Sequence, residues 1–340
     1  MAPYCEILLE PRSEERTPRT MAAYKVLIAD SRYPAHDEER AVLEAIDAEV
    51  VIERSDDEDR IAAAVVGADA MIVNLAPITP KIIDAMDRCK VVSRYGVGYD
   101  NVDAAALKSK GVMLANVPDY CGEDVSDHAL ALLMDGVRKV SRKDRLVRQG
   151  QWNLAEIQKV YRIAGKTFGF VGYGMIGRFL RRKLSGLNLG RVLIADPYIS
   201  ADVVAEAYAE LVDLDTLCRE ADFISIHAPL TDSTRGMIGA EQFAAMKPTA
   251  ILINTSRGPL VDEAALADAL ETGQIACAGI DVFATEPLAA DSKLRTLENI
   301  TLTDHAGWYS VEAMIDLKTK AAQNVADALT TGKPKYLIEL

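Results

Sequence analysis

Residues 168–177 read Phe-Gly-Phe-Val-Gly-Tyr-Gly-Met-Ile-Gly, an apolar run that feeds directly into a GxGxxG turn. Few short segments restrict a fold as tightly. Gly172 lets the chain turn sharply out of a strand, Gly174 lets backbone come close to a pyrophosphate, and Gly177 lets the next helix lie against the sheet. An anion then rests on a helix N-terminus, where unpaired N–H groups and the helix dipole favour it. A glycine-rich turn without a ligand is the bland alternative. Against it stands a second apolar run, 192–195, which ends at Asp196, 19 residues beyond Gly177. A carboxylate there can bond a ribose 2′-hydroxyl, which makes the segment a dinucleotide site. A 2′-phosphate would meet a like charge, and Pro197, Tyr198 and Ile199 bring no cation, so NAD is expected rather than NADP.

The rest of the chain repeats the alternation. Short β-rich runs at 25–29, 50–53, 70–73, 91–93 and 112–115 are separated by helical patterns such as 38–46 and 60–66. A second series opens at Thr167 and continues through 192–195, 223–227, 250–253, 276–280 and 300–302. Six strands with the fingerprint on the first predict an α/β fold with a doubly wound parallel sheet. Residues 123–147, between the two series, read as one long helix. Its stretch Ala-Leu-Ala-Leu-Leu-Met, 129–134, is apolar all round, which one buried stripe does not explain. The helix is either sandwiched between two domains or packed on a second subunit, and a homodimer is expected.

Composition closes off other classes. At 340 residues and 49% hydrophobic, the chain is long enough for two cores. It has no apolar run of membrane-spanning length, and a net charge of -13 argues against a nucleic-acid surface. Cysteines at 5, 89, 121, 218 and 277 have neither disulfide nor zinc spacing, as expected of a reducing cytoplasm. No His/Asp/Glu cluster has metal-ligand spacing. Pro3, Pro11 and Pro18 interrupt the first 22 residues and 12–19 is charged; the segment reads as a flexible extension or a misassigned start, with Met21 as the alternative.

The motifs RYGVGYDNVD (94–103), NVPDYC (116–121), VGYGMIG (171–177), HAPLT (227–231), MKPTAILINTSRGPLVDEAAL (246–266), DVFATEPL (281–288) and HAGWYS (305–310) occur in this order. Together they resemble the D-isomer-specific 2-hydroxyacid dehydrogenases from about residue 24 to 340. The resemblance implies two Rossmann-like domains with substrate in the cleft between them. It makes the substrate domain flavodoxin-like and discontinuous, 23–121 with 309–340, and the NAD-binding domain 122–308.

Reducing a 2-keto acid needs a cation for the carboxylate and a proton donor for the carbonyl oxygen. Arg257 stands in a loop after strand 250–253, at a carboxyl end of the sheet, and its planar fork can grip two oxygens at once. His305 follows the last strand, and histidine is the side chain whose unperturbed pKa lies nearest neutral pH, so it can deliver a proton and take it back. The resemblance pairs it with Glu286, which orients the ring and favours its charged form. Many relatives have Pro where this chain has Asp304; that carboxylate either raises the basicity of His305 or faces solvent. Of the other histidines, His36 reads as exposed and His128 as packing or capping.

Further roles come from the resemblance alone. In the turn Gly172-Tyr173-Gly174-Met175-Ile176-Gly177, the amides of Met175 and Ile176 meet the pyrophosphate. His227, Ala228 and Pro229 wall the cofactor site, with Thr234 beyond them. Thr255 and Ser256 flank the nicotinamide ribose, Asp281 accepts the carboxamide, and Gly307 lies beside it. Gly96, Val97 and Gly98 form a substrate-carboxylate loop. Arg94 and Trp308 look most like the C-terminal-binding-protein branch, in which an Arg and a Trp line the substrate pocket, although Trp308 reads equally as a hinge-packing aromatic. The leading expectation is therefore an NAD-dependent 2-hydroxyacid dehydrogenase acting on a small 2-keto or 2-hydroxy acid. The alternative is an NAD(H)-sensing scaffold like that branch's corepressors.

Overall fold

A computed structural model describes residues 22–152 and 159–340; the proline-interrupted segment up to residue 21 lies outside the described residues. The chain divides into two compact units. One runs through Val117 and resumes at Lys318–Leu340, and the other is Pro118–Leu317.

The first unit holds five parallel strands, β1 (Tyr24–Ile28), β2 (Ala48–Ile52), β3 (Ala70–Val73), β4 (Val91–Arg94) and β5 (Met113–Ala115), in the order β2-β1-β3-β4-β5. This is the flavodoxin-like order. Strand β3, Ala-Met-Ile-Val, is buried along its whole length, as expected of a parallel strand covered on both faces. Helix starts are fixed by side-chain caps. Asp57 accepts the Arg60 N–H ahead of the helix Glu58–Val65, and Asp103 accepts the Ala106 N–H ahead of Ala104–Lys110, which ends on left-handed Gly111. The returning C-terminal segment is stitched in: Ser93 Oγ donates to the Ala321 carbonyl at 3.0 Å and Asn324 Nδ2 to that of Asn116 at 2.9 Å.

The second unit holds β6 (Thr167–Val171), β7 (Arg191–Ala195), β8 (Glu210–Leu211), β9 (Phe223–Ile226), β10 (Ile251–Asn254), β11 (Cys277–Ile280) and β12 (Ile300–Leu302), ordered β12-β11-β10-β9-β6-β7-β8 and parallel throughout. The sheet has seven strands rather than the six expected. Strand β8 is two exposed residues long, too short to carry a periodic signal. Sequence direction reverses between β6 and β9, so their carboxyl ends, which carry Gly172 and His227, flank the switch point where ligands bind in such sheets.

The expected single helix over 123–147 is two. Gly122–Arg138 ends at Lys139, which is left-handed at φ 57°, and Val140–Arg148 follows. Asp135 explains the break, because its side chain accepts the Ser141 N–H at 2.7 Å and anchors the new helix in place of a further turn of the old one. In the first helix Val125, Ala129, Leu132, Leu133 and Val137 are buried. A Cβ on Gly279 would fall 2.8 Å from Leu132 Cβ, so the missing side chain lets the helix settle onto β11.

Candidate active site

At the end of β6, Gly172 has φ +82° and a Cβ there would lie 2.7 Å from the Ala228 nitrogen. Only glycine satisfies both the backbone and the contact. Gly174 has the opposite surroundings: nothing lies within 4 Å of the place its Cβ would take. It also starts the helix Met175–Lys183 without a side-chain cap, so the first N–H groups of the helix are left for another acceptor. Asp196, at the end of β7, accepts the Tyr173 N–H and the Tyr198 N–H, each at 2.9 Å. The carboxylate thus holds the glycine turn in place.

Two buried polar atoms have no hydrogen-bond partner among the described residues on this side of the sheet, His227 Nδ1 and Thr255 Oγ1. An orphaned buried group is costly unless a ligand completes it. With the open cradle at Gly174, they fit a bound dinucleotide. Burial lowers the His227 imidazole to about 4, so it is neutral at pH 7 and does not serve as an acid there. Its Nε2 lies 2.9 Å from Ser225 Oγ. Thr234 spends its hydroxyl on the Pro229 carbonyl at 2.7 Å, shaping the loop that Ala228 and Pro229 begin.

The candidate catalytic groups come from the loops after β10, β11 and β12. Asn254, 1% exposed, accepts the Ser256 N–H at 3.0 Å and donates Nδ2 to the Arg257 carbonyl at 2.9 Å. This clamp was not anticipated from sequence, although Asn at a strand end followed by Thr-Ser is an Asx-turn signal. Ser256 Oγ donates to the Ile226 carbonyl at 2.8 Å, and Arg257 Nη1 to the Ser256 carbonyl at 2.7 Å. Gly258 brings this loop against the next: a Cβ on it would overlap the Phe283–Ala284 peptide.

Glu286 and His305 meet at 2.7 Å, Oε2 to Nδ1, with each side chain about one-third exposed at 35% and 37%. Glu286 Oε1 also accepts the Phe283 N–H at 3.0 Å. Partial burial pushes the carboxyl up, but these hydrogen bonds and the charges of His305 and Arg257 outweigh it and hold Glu286 below the usual carboxylate range. Asp304 is exposed, and the Nδ1 partner of His305 is Glu286.

His305 itself is left-handed at φ 58°, a costly conformation for a side chain of this kind. Asp281 sustains it. Its carbonyl accepts the His305 N–H at 2.8 Å, Oδ1 takes the Thr303 hydroxyl at 2.6 Å and the Ala306 N–H at 3.0 Å, and Oδ2 takes the Gly307 N–H at 3.0 Å. His128 Nε2 adds to the cluster, 2.9 Å from Thr303 Oγ1 and 3.4 Å from Asp281 Oδ1; it links the long helix to this loop. Burial raises the Asp281 carboxyl, yet the donors from His128, Thr303 and Gly307 bring it down to about 2. Because the folded value is depressed, its stabilisation is complete above the unfolded value near 4 and is lost as pH falls toward 2. Asp281→Asn is therefore expected to lower stability at pH 7 by about 2 kcal/mol, with the gap from wild type closing below pH 3 in urea titrations. An equal gap at both pH values would count against this role.

Trp308 packs with Tyr120, ring centroids 6.2 Å apart, beside Cys121, Val125 and Ala313. Arg94 and Gly96–Gly98 belong to the first unit. Gly96 has φ 128°, and the carbonyls of Gly96 and Val97 accept the Val117 N–H at 2.9 Å and Asn116 Nδ2 at 2.7 Å. Since N–H and C=O point oppositely across a trans peptide, the Val97 and Gly98 N–H groups face away from those partners. His36, expected to be exposed, is 4% exposed. Ser31 and Glu39 take up its two ring nitrogens, which removes the need for solvent.

The family model for the D-isomer specific 2-hydroxyacid dehydrogenase NAD binding domain matches residues 130–307. A glyoxylate reductase of Korarchaeum cryptofilum is 41% identical over 261 residues, 76% of this chain and 78% of its own. A D-3-phosphoglycerate dehydrogenase of Mycobacterium tuberculosis is 39% identical over 307 residues, 89% of this chain but 56% of its own, so the chain spans little more than half of that relative. Among solved structures, a D-lactate dehydrogenase from Aquifex aeolicus complexed with NAD and lactic acid superposes with TM-score 0.81 at 26% identity, covering 90% of this chain and 96% of its own. These relatives carry the names of enzymes, which favours the dehydrogenase over the scaffold. The cradle after β6, the paired Glu286 and His305, and the matched residues all lead to one conclusion: the chain belongs to the D-isomer-specific 2-hydroxyacid dehydrogenase family.

Proposed function

We propose that this chain reduces a small 2-keto acid to its D-2-hydroxy acid with His305 as the proton donor, and that His305 takes the proton back in the reverse direction. The observation that carries the proposal is the 2.7 Å contact of His305 Nδ1 with Glu286. Nδ1–H donates to the carboxylate, so the proton leaves from Nε2, which is the nitrogen left to meet the carbonyl oxygen. Glu286 stays ionised and stabilises the imidazolium. Arg257 holds the substrate carboxylate and polarises the adjoining carbonyl through its fork. Arg94, the loop of Gly96, Val97 and Gly98, and Trp308 complete the substrate contacts in this reading.

NAD supplies the hydride when bound. The residues that would hold it are Gly172 to Gly177 at the pyrophosphate, Asp196 at the adenosine ribose, and His227, Ala228, Pro229 and Thr234 along the wall. Thr255, Ser256, Asp281 and Gly307 would surround the nicotinamide end. The NADH preference is expected to be large, because a 2′-phosphate beside Asp196 loses its charged hydrogen bonds, each worth about 1.5–3 kcal/mol, and gains repulsion. Measured kcat/KM with NADH should exceed that with NADPH by at least about tenfold, and Asp196→Ala should narrow the gap. Equal efficiency with both cofactors would remove Asp196 from this role.

We further propose a cytoplasmic homodimer with a substrate domain of 23–121 and 309–340. Cys89, Cys121, Cys218 and Cys277 are buried free thiols, which suits a reducing compartment. The helix Gly122–Arg138 carries exposed Ala131 and half-buried Met134, and Val140 and Val147 are exposed just beyond it. Light scattering at micromolar concentration should give twice the chain mass; a clean monomer would contradict the dimer.

A further inference from the structure

Beneath the proposed substrate loop lies a buried polar network that the reaction does not use. Ser31 Oγ is 2.7 Å from His36 Nε2, His36 Nδ1 is 3.2 Å from Glu39 Oε1, and the Tyr95 hydroxyl donates to the same oxygen at 2.7 Å. The four residues are 3%, 4%, 0% and 2% exposed in that order. Lys318, 5% exposed, lies 3.4 Å from Glu39 Oε2, pairs with Glu38, and donates to the Ala35 carbonyl at 3.0 Å.

The order Ser, His, Glu matches the connectivity of a nucleophile, its base and an orienting acid, but Ser31 is closed to solvent, so the arrangement holds structure and does not attack a substrate. What it holds is specific. Glu39 is a fully buried carboxylate, costly unless its oxygens are occupied and its charge is compensated. Lys318 supplies the charge beside Oε2, which has no hydrogen bond of its own among the described residues, and Tyr95 and His36 both supply donors to Oε1. Tyr95 lies in the chain between Arg94 and Gly96, and its hydroxyl is tied to Glu39 on one side while its N–H donates to the Val73 carbonyl at 2.9 Å on the other.

We infer that Glu39 and Tyr95 are positioning residues for substrate affinity, with the Glu39–Tyr95 bond fixing the peptides on either side of Tyr95 so that Arg94 and the Gly96–Gly98 loop are set for a carboxylate. This rests on the reading that those residues meet the substrate. It predicts an effect on substrate binding that leaves the chemical step alone, because His305, Glu286 and Arg257 lie on other loops.

The test is steady-state kinetics of Tyr95→Phe, Glu39→Gln and Arg94→Ala with NADH and whichever of glyoxylate, hydroxypyruvate or phosphohydroxypyruvate wild type reduces fastest. NADH affinity is followed by fluorescence and folding by thermal melting. Tyr95→Phe should raise KM about tenfold, the worth of one lost hydrogen bond to a charged group, with kcat and NADH affinity within about twofold of wild type. Glu39→Gln keeps an acceptor for Tyr95 and should raise KM less than Tyr95→Phe. If Tyr95→Phe melts as wild type and keeps wild-type KM while Arg94→Ala raises it, the positioning role is wrong. If Arg94→Ala also leaves KM unchanged, the substrate reading of the loop falls and this inference falls with it. A Tyr95→Phe protein that melts early and loses NADH affinity in step with KM would show a merely structural network and overturn the proposal as well.

Discussion

Replacing His305 with alanine is expected to slow 2-keto acid reduction by roughly two to four orders of magnitude, the usual worth of a positioned acid. NADH affinity should change little, because the contacts proposed for the pyrophosphate and the adenosine ribose lie at the ends of β6 and β7. Glu286→Gln should be milder and different in kind. The His305 charge helps to hold the Glu286 carboxyl below its usual range, and Glu286 Oε2 orients the ring through Nδ1 at 2.7 Å. Glutamine keeps an oxygen for that bond but not the charge, so turnover should fall by less than in His305→Ala while the fold stays intact. Full activity in His305→Ala, measured with saturating NADH, would remove His305 from the mechanism.

Gly258→Ala should have the largest effect on the fold around the site. A Cβ there overlaps the Phe283–Ala284 peptide, and backbone on both sides has no rotamer with which to yield. Such overpacking costs about 3 kcal/mol or more. It also parts the Arg257 loop from the loop that carries Glu286, so activity should fall even in molecules that remain folded. Gly174→Ala is the informative contrast: its Cβ meets nothing within 4 Å, so the melting temperature should hold while NADH binding weakens, because the added methyl stands in the cradle. If both variants melt alike, close loop packing at Gly258 is not what sets its effect.

The glycine turn, Asp196 and the pairing of His305 with Glu286 were legible in sequence because each depends on residue type at a fixed spacing or on a motif that carries its position along. Strand β3 emerged with its boundaries, since a buried parallel strand reads as an unbroken apolar run. Other features were not local. The break at Lys139 comes from the Asp135 side chain reaching past the helix end, and nothing in the apolar periodicity reports it. His36 stands in an acidic stretch that suggests solvent, yet its partners include Glu39, one helical turn on, and, through Glu39, Tyr95 and Lys318, which are remote in sequence. Asp281 is similar: sequence pointed to a ligand role, whereas most of its bonds hold the left-handed loop at His305, a duty visible only once Thr303, Ala306 and Gly307 surround it.

The most direct test of the proposed reaction is NADH oxidation by the wild-type protein against a panel of glyoxylate, hydroxypyruvate, phosphohydroxypyruvate and bulkier 2-keto acids, with chiral analysis of products that have a stereocentre. Saturable turnover of at least one acid, yielding the D-2-hydroxy acid, is the predicted result. Tight NADH binding with no turnover of any member, or an L-configured product, would contradict it.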